Sequence, residues 1–236
     1  MSKVFRNHGL YTVGVFSYII SLIPFSGINL VRALILLPIA LLTLIVADYL
    51  QPSLMSFRIR AKEIVLSALL AIPYLFAINI YLLIPLTLLV LTIVAYWKRK
   101  LMIGNVLGTV FIASLSFAWL GFVSNSLILP SVYWLLYILC GALYVEYKLP
   151  IRKLDRRVVQ LSWLASLAIL ILLTMKSSLL LMLLTVIEPS SRFLFPGDKL
   201  ASMKDVGKLG RRGAKKDVLF IALLIFTSVL SMLLSL

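Results

Sequence analysis

Two residue types that build most catalytic and metal sites are almost missing from this chain. It has one cysteine, Cys140, and one histidine, His8. A single cysteine in an apolar run excludes a disulfide framework and a thiolate metal cage. A single histidine excludes, within this chain, a bis-histidine haem, a histidine-rich metal site and a histidine-based triad. Acids are scarce as well, eight Asp and Glu against 23 Lys and Arg, for a net charge of +15. Charged residues of both signs make up 13% of the chain, against roughly 25% in soluble domains.

What fills the space is apolar. Of 236 residues, 62% are hydrophobic, and the mean hydropathy is +1.10. About 20 mainly apolar residues suffice for a helix to cross a bilayer, and such stretches run almost end to end. The chain therefore reads as an all-α polytopic membrane bundle, a single transmembrane domain over 1–236 with no separate soluble part. Lys3 and Arg6 precede the first apolar run without a small-residue cleavage site, so that run reads as a retained span.

Nine apolar stretches are expected: Gly9–Phe25, Ala33–Leu50, Ile64–Ile80, Tyr81–Trp97, Leu101–Val123, Ser131–Tyr147, Val158–Met175, Ser177–Phe195 and Val218–Leu236. The 34 residues from Ile64 to Trp97 carry no charge. As one helix they would extend about 51 Å, well beyond a hydrocarbon core of about 30 Å, so a turn near Asn79 is predicted. The eighth stretch is short, ends at Glu188-Pro189, and reads as a full crossing or as a broken, re-entrant helix.

Lys and Arg set the orientation. With the N-terminus inside, the inner segments hold Lys3 and Arg6; Arg58, Arg60 and Lys62; Lys98, Arg99 and Lys100; and Lys148, Arg152, Lys153, Arg156 and Arg157. The last inner loop, 196–216 with its basic cluster, holds or adjoins Arg192, Lys199, Lys204, Lys208, Arg211, Arg212, Lys215 and Lys216. Only Arg32 and Lys176 fall outside. Nine spans with an inner N-terminus and an outer C-terminus in the cell membrane satisfy the positive-inside rule. All eight acids, Asp48, Glu63, Glu146, Asp155, Glu188, Asp198, Asp205 and Asp217, fall on the same inner side, so polar chemistry is expected to open inward.

Several residues are candidates for that chemistry. Lys98-Arg99-Lys100, after Tyr96-Trp97, is either a membrane-surface anchor or a receptor for a phosphate or diphosphate, with Asn105 one to two turns on. Asp48 either pairs with Arg58 or Arg60 or binds a divalent cation, Mg²⁺ in the case of a lipid phosphate, for which Glu146 and Asp155 are the other acids at hand. Glu188 is expected to pair with Arg192 one helical turn away, or to touch a substrate. His8 is a headgroup contact or a proton shuttle. Gly104 and Gly108 form a GxxxG, a signal of close helix packing. The GKLGRRGAKK stretch, 207–216, has no phosphate-loop spacing and reads as a flexible basic tether on anionic lipid.

Three of these stretches carry a family likeness. AYWKRKLMIGNVLGTVFIASLSFAWLGF resembles the junction of the fourth and fifth spans in the UbiA superfamily of intramembrane prenyltransferases. VADYLQPSLMSFRIR and YVEYKLPIRKLDRR sit where that family carries its two aspartate-rich motifs. RNHGLY, KRKLMIGNVLG and KLGRRGAKKDVLFIALLIF are similar to the YwiC-like membrane proteins. The resemblance implies a UbiA-like bundle in which two magnesium ions hold an isoprenyl diphosphate. The motifs here are depleted. Asp48 remains of the first, with Ala47, Pro52 and Ser56 in place of its other polar positions, and Glu146 and Asp155 are the acids of the second.

The leading expectation is thus a membrane protein binding an isoprenoid or phospholipid-type amphiphile, its anionic head on Lys98, Arg99, Arg58 and Arg152. Prenyl transfer is disfavoured by the missing carboxylates. The alternative is a non-enzymatic accessory subunit of a respiratory or cofactor-maturation complex with membrane partners. A transporter ranks behind both, because ionisable groups near the midplane are almost absent from the pattern. Nucleic acid ranks last, because the basic residues are dispersed over five inner segments.

Overall fold

A computed structural model describes residues 8–177 and 179–234, and among them all regular structure is helical. Lys3 and Arg6 lie outside the described residues. Packing divides the chain into two compact units, one up to Ile128 and one from Leu129.

The first unit contains α1 (His8–Ser21), α2 (Leu30–Ser56), α3 (Ala61–Leu75), α4 (Leu83–Trp97) and α5 (Leu101–Phe122). The expected break in the long uncharged stretch falls where predicted. Helix α3 stops at Leu75, and Asn79 starts a short 3-10 turn by accepting the Tyr81 N–H at 3.0 Å. Its amide also donates to the Ala118 carbonyl of α5 at 3.2 Å. Gly121 allows that contact, since a Cβ there would lie 2.5 Å from the Asn79 side chain.

Helices α4 and α5 form a tight hairpin. Lys98 closes α4, Arg99 takes a left-handed φ of +56°, and the Lys100 N–H returns to the Ala95 carbonyl at 2.9 Å. The glycine pair has the packing role its spacing suggests. The buried Tyr96 ring lies across Gly104, where a Cβ would come within 2.4 Å of it, and Thr92 faces Gly108. Without a hydrophobic drive between helices in lipid, such close van der Waals contact does much of the associating. Helix α1 uses the same device. A Cβ on Gly14 would meet Leu44 of α2.

Chain direction sorts the charges of this unit. Helices α1 and α5 run in the same sense, because Ser17 reaches the Ile112 carbonyl at 3.2 Å and Asn125, just past α5, donates to the Ser21 and Ile23 carbonyls. Helices α2 and α4 run against them. One end of the unit therefore collects His8, Asp48, Arg58, Arg60, Lys62, Glu63 and Lys98 to Lys100. At the other end the charged side chain among the described residues is Arg32. Its guanidinium donates to the Ser124 hydroxyl at 2.9 Å and to the Phe122 carbonyl at 3.4 Å, a cation on the last carbonyls of α5 where the helix dipole favours it.

The second unit contains α6 (Leu129–Lys148), α7 (Arg156–Ser177), α8 (Ile187–Leu194) and α9 (Val206–Leu234). Helices α6 and α7 are antiparallel, joined side by side through Tyr133 Oη to Thr174 Oγ1 at 2.7 Å. Of the two readings for the eighth stretch, the structure has the broken one. Leu180–Val186 is a 3-10 segment that passes into the eight residues of α8. A second difference concerns 207–216. The expected flexible tether is instead helical from Val206 and continuous with the last apolar stretch. Its 29 residues extend about 43 Å at 1.5 Å per residue, longer than the hydrocarbon core. The glycines at 207, 210 and 213 suggest a loop locally, but each costs only about 1 kcal/mol in a helix, and the turns that follow are strongly helical.

Among the described residues six helical segments are long and apolar enough to cross a membrane: Leu30–Ser56, Ile80–Trp97, Leu101–Phe122, Leu129–Lys148, Arg156–Ser177 and Met203–Leu234. Their outward faces are aliphatic, as on α2 with Leu30, Leu34, Leu41 and Ile45 exposed. Several of their buried hydroxyls turn back on their own helices, as Thr92 does to Leu88 and Thr227 to Leu223, which satisfies them without water. Helices of this length and composition are compatible with an integral membrane protein.

Candidate functional site

Two places gather polar side chains. The first is the charged end of the first unit. Arg58, Arg60, Lys62, Lys98, Arg99 and Lys100 are all exposed there, and none of them forms an ion pair among the described residues. The neighbouring acids are engaged in holding helices. Glu63 is buried and closes the α2–α3 turn, accepting the Arg60 N–H at 2.8 Å and the Ser53 hydroxyl at 2.7 Å. Those two bonds, the backbone one first, hold its carboxyl below the usual range.

The folded value being depressed, this stabilisation is complete above the unfolded value of about 4.3 and fades as pH falls through the lower folded value. Glu63→Gln is therefore expected to lower the melting temperature in detergent at pH 7, with the gap to the parent protein narrowing below about pH 4. An equal gap at pH 7 and pH 3 would show that the carboxylate charge is not what holds the turn.

Asp48, expected to pair with Arg58 or Arg60 or to hold a cation, accepts the Tyr11 hydroxyl at 3.2 Å. Asn105, a candidate for the anion site, has its Oδ1 engaged by the Tyr96 hydroxyl at 3.1 Å, within the α4–α5 seam. His8 is exposed at the first turn of α1. An apolar notch between α1 and α2, lined by Gly14, Tyr18, Leu37 and Leu44 among others, has a volume of about 30 Å³, room for a water-sized group and too little for a prenyl chain.

The second place lies in the second unit and was only partly visible in sequence. The predicted Glu188–Arg192 pair is not formed. Glu188 pairs with Lys216 of α9 at 2.6 Å, while Arg192 lays its guanidinium on aromatic faces, 4.4 Å from the Phe193 centroid, 5.2 Å from Tyr137 and 5.7 Å from Tyr144. Helix α8 is fixed to α7 at its middle and at its C-terminal end. Trp163 Nε1 donates to Ser190 Oγ at 3.1 Å, and Gln160 Nε2 donates to the Leu194 carbonyl at 2.7 Å. So fixed, α8 points Glu188 at α9 and Arg192 at α6.

Asp217 is the larger surprise. Its position in the chain suggests an inner span end, yet its carboxylate accepts the Tyr137 hydroxyl at 2.7 Å. Tyr137 is eleven residues, about 16 Å of helix, from the Lys148 end of α6. Ionisable groups thus reach the middle of the α6 helix, contrary to the expectation that this depth is uncharged.

Nearer the end of α6, Glu146 and Arg152 form an ion pair with Oε2 to Nε at 2.9 Å, and Lys199 donates to the Arg152 carbonyl. Lys148 is buried and donates to the Asp198 carbonyl, while Tyr147 Oη donates to the Gly197 carbonyl at 2.6 Å. Asp155 accepts the Arg157 N–H at 3.0 Å at the start of α7. Among the described residues no three of His, Cys, Asp and Glu come together as a metal ion would require.

Sequence reasoning missed Tyr137, Asp217 and Lys216 as a group, because their meeting depends on how α8 is seated. The one local signal was the aromatic density of α6, with Tyr133, Trp134, Tyr137, Tyr144 and Tyr147 in one helix. Compared with family models, with curated proteins and with solved structures, the chain finds no match.

Proposed function

We propose that this chain is a multi-pass membrane protein that holds the anionic head of an isoprenoid or phospholipid-type amphiphile at the cationic end of its first unit, which faces the cytoplasm. The observation that carries the reading is the set of six exposed cations on the turns 57–60 and 98–100 with their flanks, at one end of the unit and none ion-paired among the described residues, beside helix faces that are aliphatic. A cation next to an anionic bilayer surface gains about 1 kcal/mol, and phosphate oxygens are the natural partners of Lys and Arg there. Arg152 of the second unit, paired with Glu146, is a weaker candidate than Lys98, Arg99 and Arg58.

The reading stops at binding. In the UbiA-like scheme, Asp48, Glu146 and Asp155 would hold magnesium. Here Asp48 bonds Tyr11, Glu146 is paired with Arg152, and Asp155 caps α7. The UbiA and YwiC likeness is part of the proposal and supplies the ligand class, a lipid phosphate or diphosphate.

The test uses purified protein in neutral nanodiscs titrated with phosphatidylglycerol or geranylgeranyl diphosphate. Losing two contacts of about 1 kcal/mol each, Lys98→Ala/Arg99→Ala is expected to weaken binding about 30-fold while membrane insertion is unchanged. Parent-like binding in the inserted double variant would remove the proposal.

A further inference from the structure

The second unit contains a cation, Arg192, that forms no ion pair among the described residues although Asp217 lies within reach of its charge. Arg192 sits in the part of the unit where ionisable groups reach the middle of α6. Yet neither acid near it is its partner: Glu188 is taken by Lys216, and Asp217 accepts from Tyr137. The guanidinium rests on the faces of Phe193, Tyr137 and Tyr144 and engages the Tyr137 hydroxyl, while its Nε is sealed from solvent with no hydrogen-bond partner among the described residues. Aromatic faces attract the charge, but they do not accept the in-plane N–H bonds, of which a guanidinium has five. A buried donor without an acceptor, on a charge within an apolar bundle, is costly, and groups of this kind mark functional sites.

The surroundings favour an oxyanion as the missing acceptor. A planar fork is matched by a carboxylate or phosphate, which takes two parallel N–H bonds. The turn of α9 that carries Lys216, the partner of Glu188, also carries Arg211, Arg212 and Lys215, all exposed and none ion-paired among the described residues, so this stretch of α9 is strongly positive. The seat is also made rigid. Trp163 holds Ser190 two residues before Arg192, and Gln160 holds the Leu194 carbonyl two residues after it.

We propose that Arg192, on the aromatic seat of Phe193, Tyr137 and Tyr144, is the binding group for the carboxylate or phosphate of a ligand that enters the second unit. This reading is drawn from the second unit alone and stands or falls independently of the first-unit reading. The ligand is either a free anion or a lipid headgroup, and the chemistry at Arg192 is the same for both.

The experiment follows phenylglyoxal modification of Arg192 by peptide mass spectrometry, with protein in phosphatidylcholine nanodiscs at constant ionic strength. Sodium acetate and inorganic phosphate are the soluble probes, and phosphatidate mixed into the disc is the lipid probe. Saturable protection of Arg192 by a soluble probe identifies a free oxyanion. Protection by phosphatidate alone identifies a headgroup. Protection by none of the three overturns the proposal. The Lys98→Ala/Arg99→Ala protein is expected to show unchanged protection at Arg192, which separates this result from any failure of the first-unit reading.

Arg192→Lys keeps a cation on the rings and so preserves the seat, but it loses the fork. It is expected to raise the midpoint of the ligand-induced change in Trp163 emission about ten-fold, the worth of one charged hydrogen bond. A parent-like midpoint in this variant would equally overturn the assignment.

Discussion

A single cysteine placed at Lys100 is expected to react with a membrane-impermeant maleimide only when the inner face of a sealed vesicle is accessible, and one placed at Ser124 only from the outer face. The natural Cys140 is buried and is replaced by serine first. The effect is all or none, since the two positions bracket α5, whose 22 residues extend about 33 Å, just over one hydrocarbon thickness. The sides follow from charge: one end of the first unit has six exposed cations, and the other has Arg32 folded onto the Phe122 and Ser124 backbone and side-chain oxygens. Labelling of both positions from one face would end the membrane orientation and, with it, the proposed headgroup site. Labelling of the two with the faces exchanged would leave the span intact and invert the protein.

Trp163→Ala is expected to be the most damaging single substitution in the second unit. The indole is fully buried, packs 5.0 Å from the Phe193 ring and donates to Ser190. Emptying such a site costs about 3–5 kcal/mol, a large part of the 5–15 kcal/mol that typically holds a protein together. Trp163→Phe keeps most of the volume and loses mainly the hydrogen bond, about 1 kcal/mol. Unfolding in detergent distinguishes the two, and trypsin cleavage after Arg192 or Lys199 is expected to accelerate in the alanine variant alone, because α8 loses its seat. Equal stability of the two variants would mean that the aromatic cluster around Phe193 is not what fixes α8.

Much of the architecture was legible because it rests on local pattern. The break near Asn79 follows from length against bilayer thickness, and the α4–α5 boundary follows from three consecutive cations. Gly104 and Gly108 announced a close approach, and Tyr96 is what approaches. What stayed hidden depends on contacts distant in the chain. Glu188 had a cation one turn away in Arg192 and a competitor in Lys216, and sequence spacing ranks the nearer one. The structure chooses Lys216, because α8 is oriented by its two bonds to α7, not by its own charges. Asp217 was assigned to a span end on hydropathy, which counts residues along α9 and is blind to how far α9 slides against α6. The 207–216 segment reads as a flexible basic tether from its charge, and that reading misses the helix that runs through it into the last apolar stretch.

Arg99 carries one more implication. Its φ of +56° is a geometry that glycine enters freely and that a residue with a Cβ enters at about 1–2 kcal/mol. A hairpin selected for shape alone would be more stable with glycine at this corner. On the proposed headgroup reading, position 99 is where durability and ligand affinity pull in opposite directions, so that Arg99→Gly is expected to gain stability and lose binding.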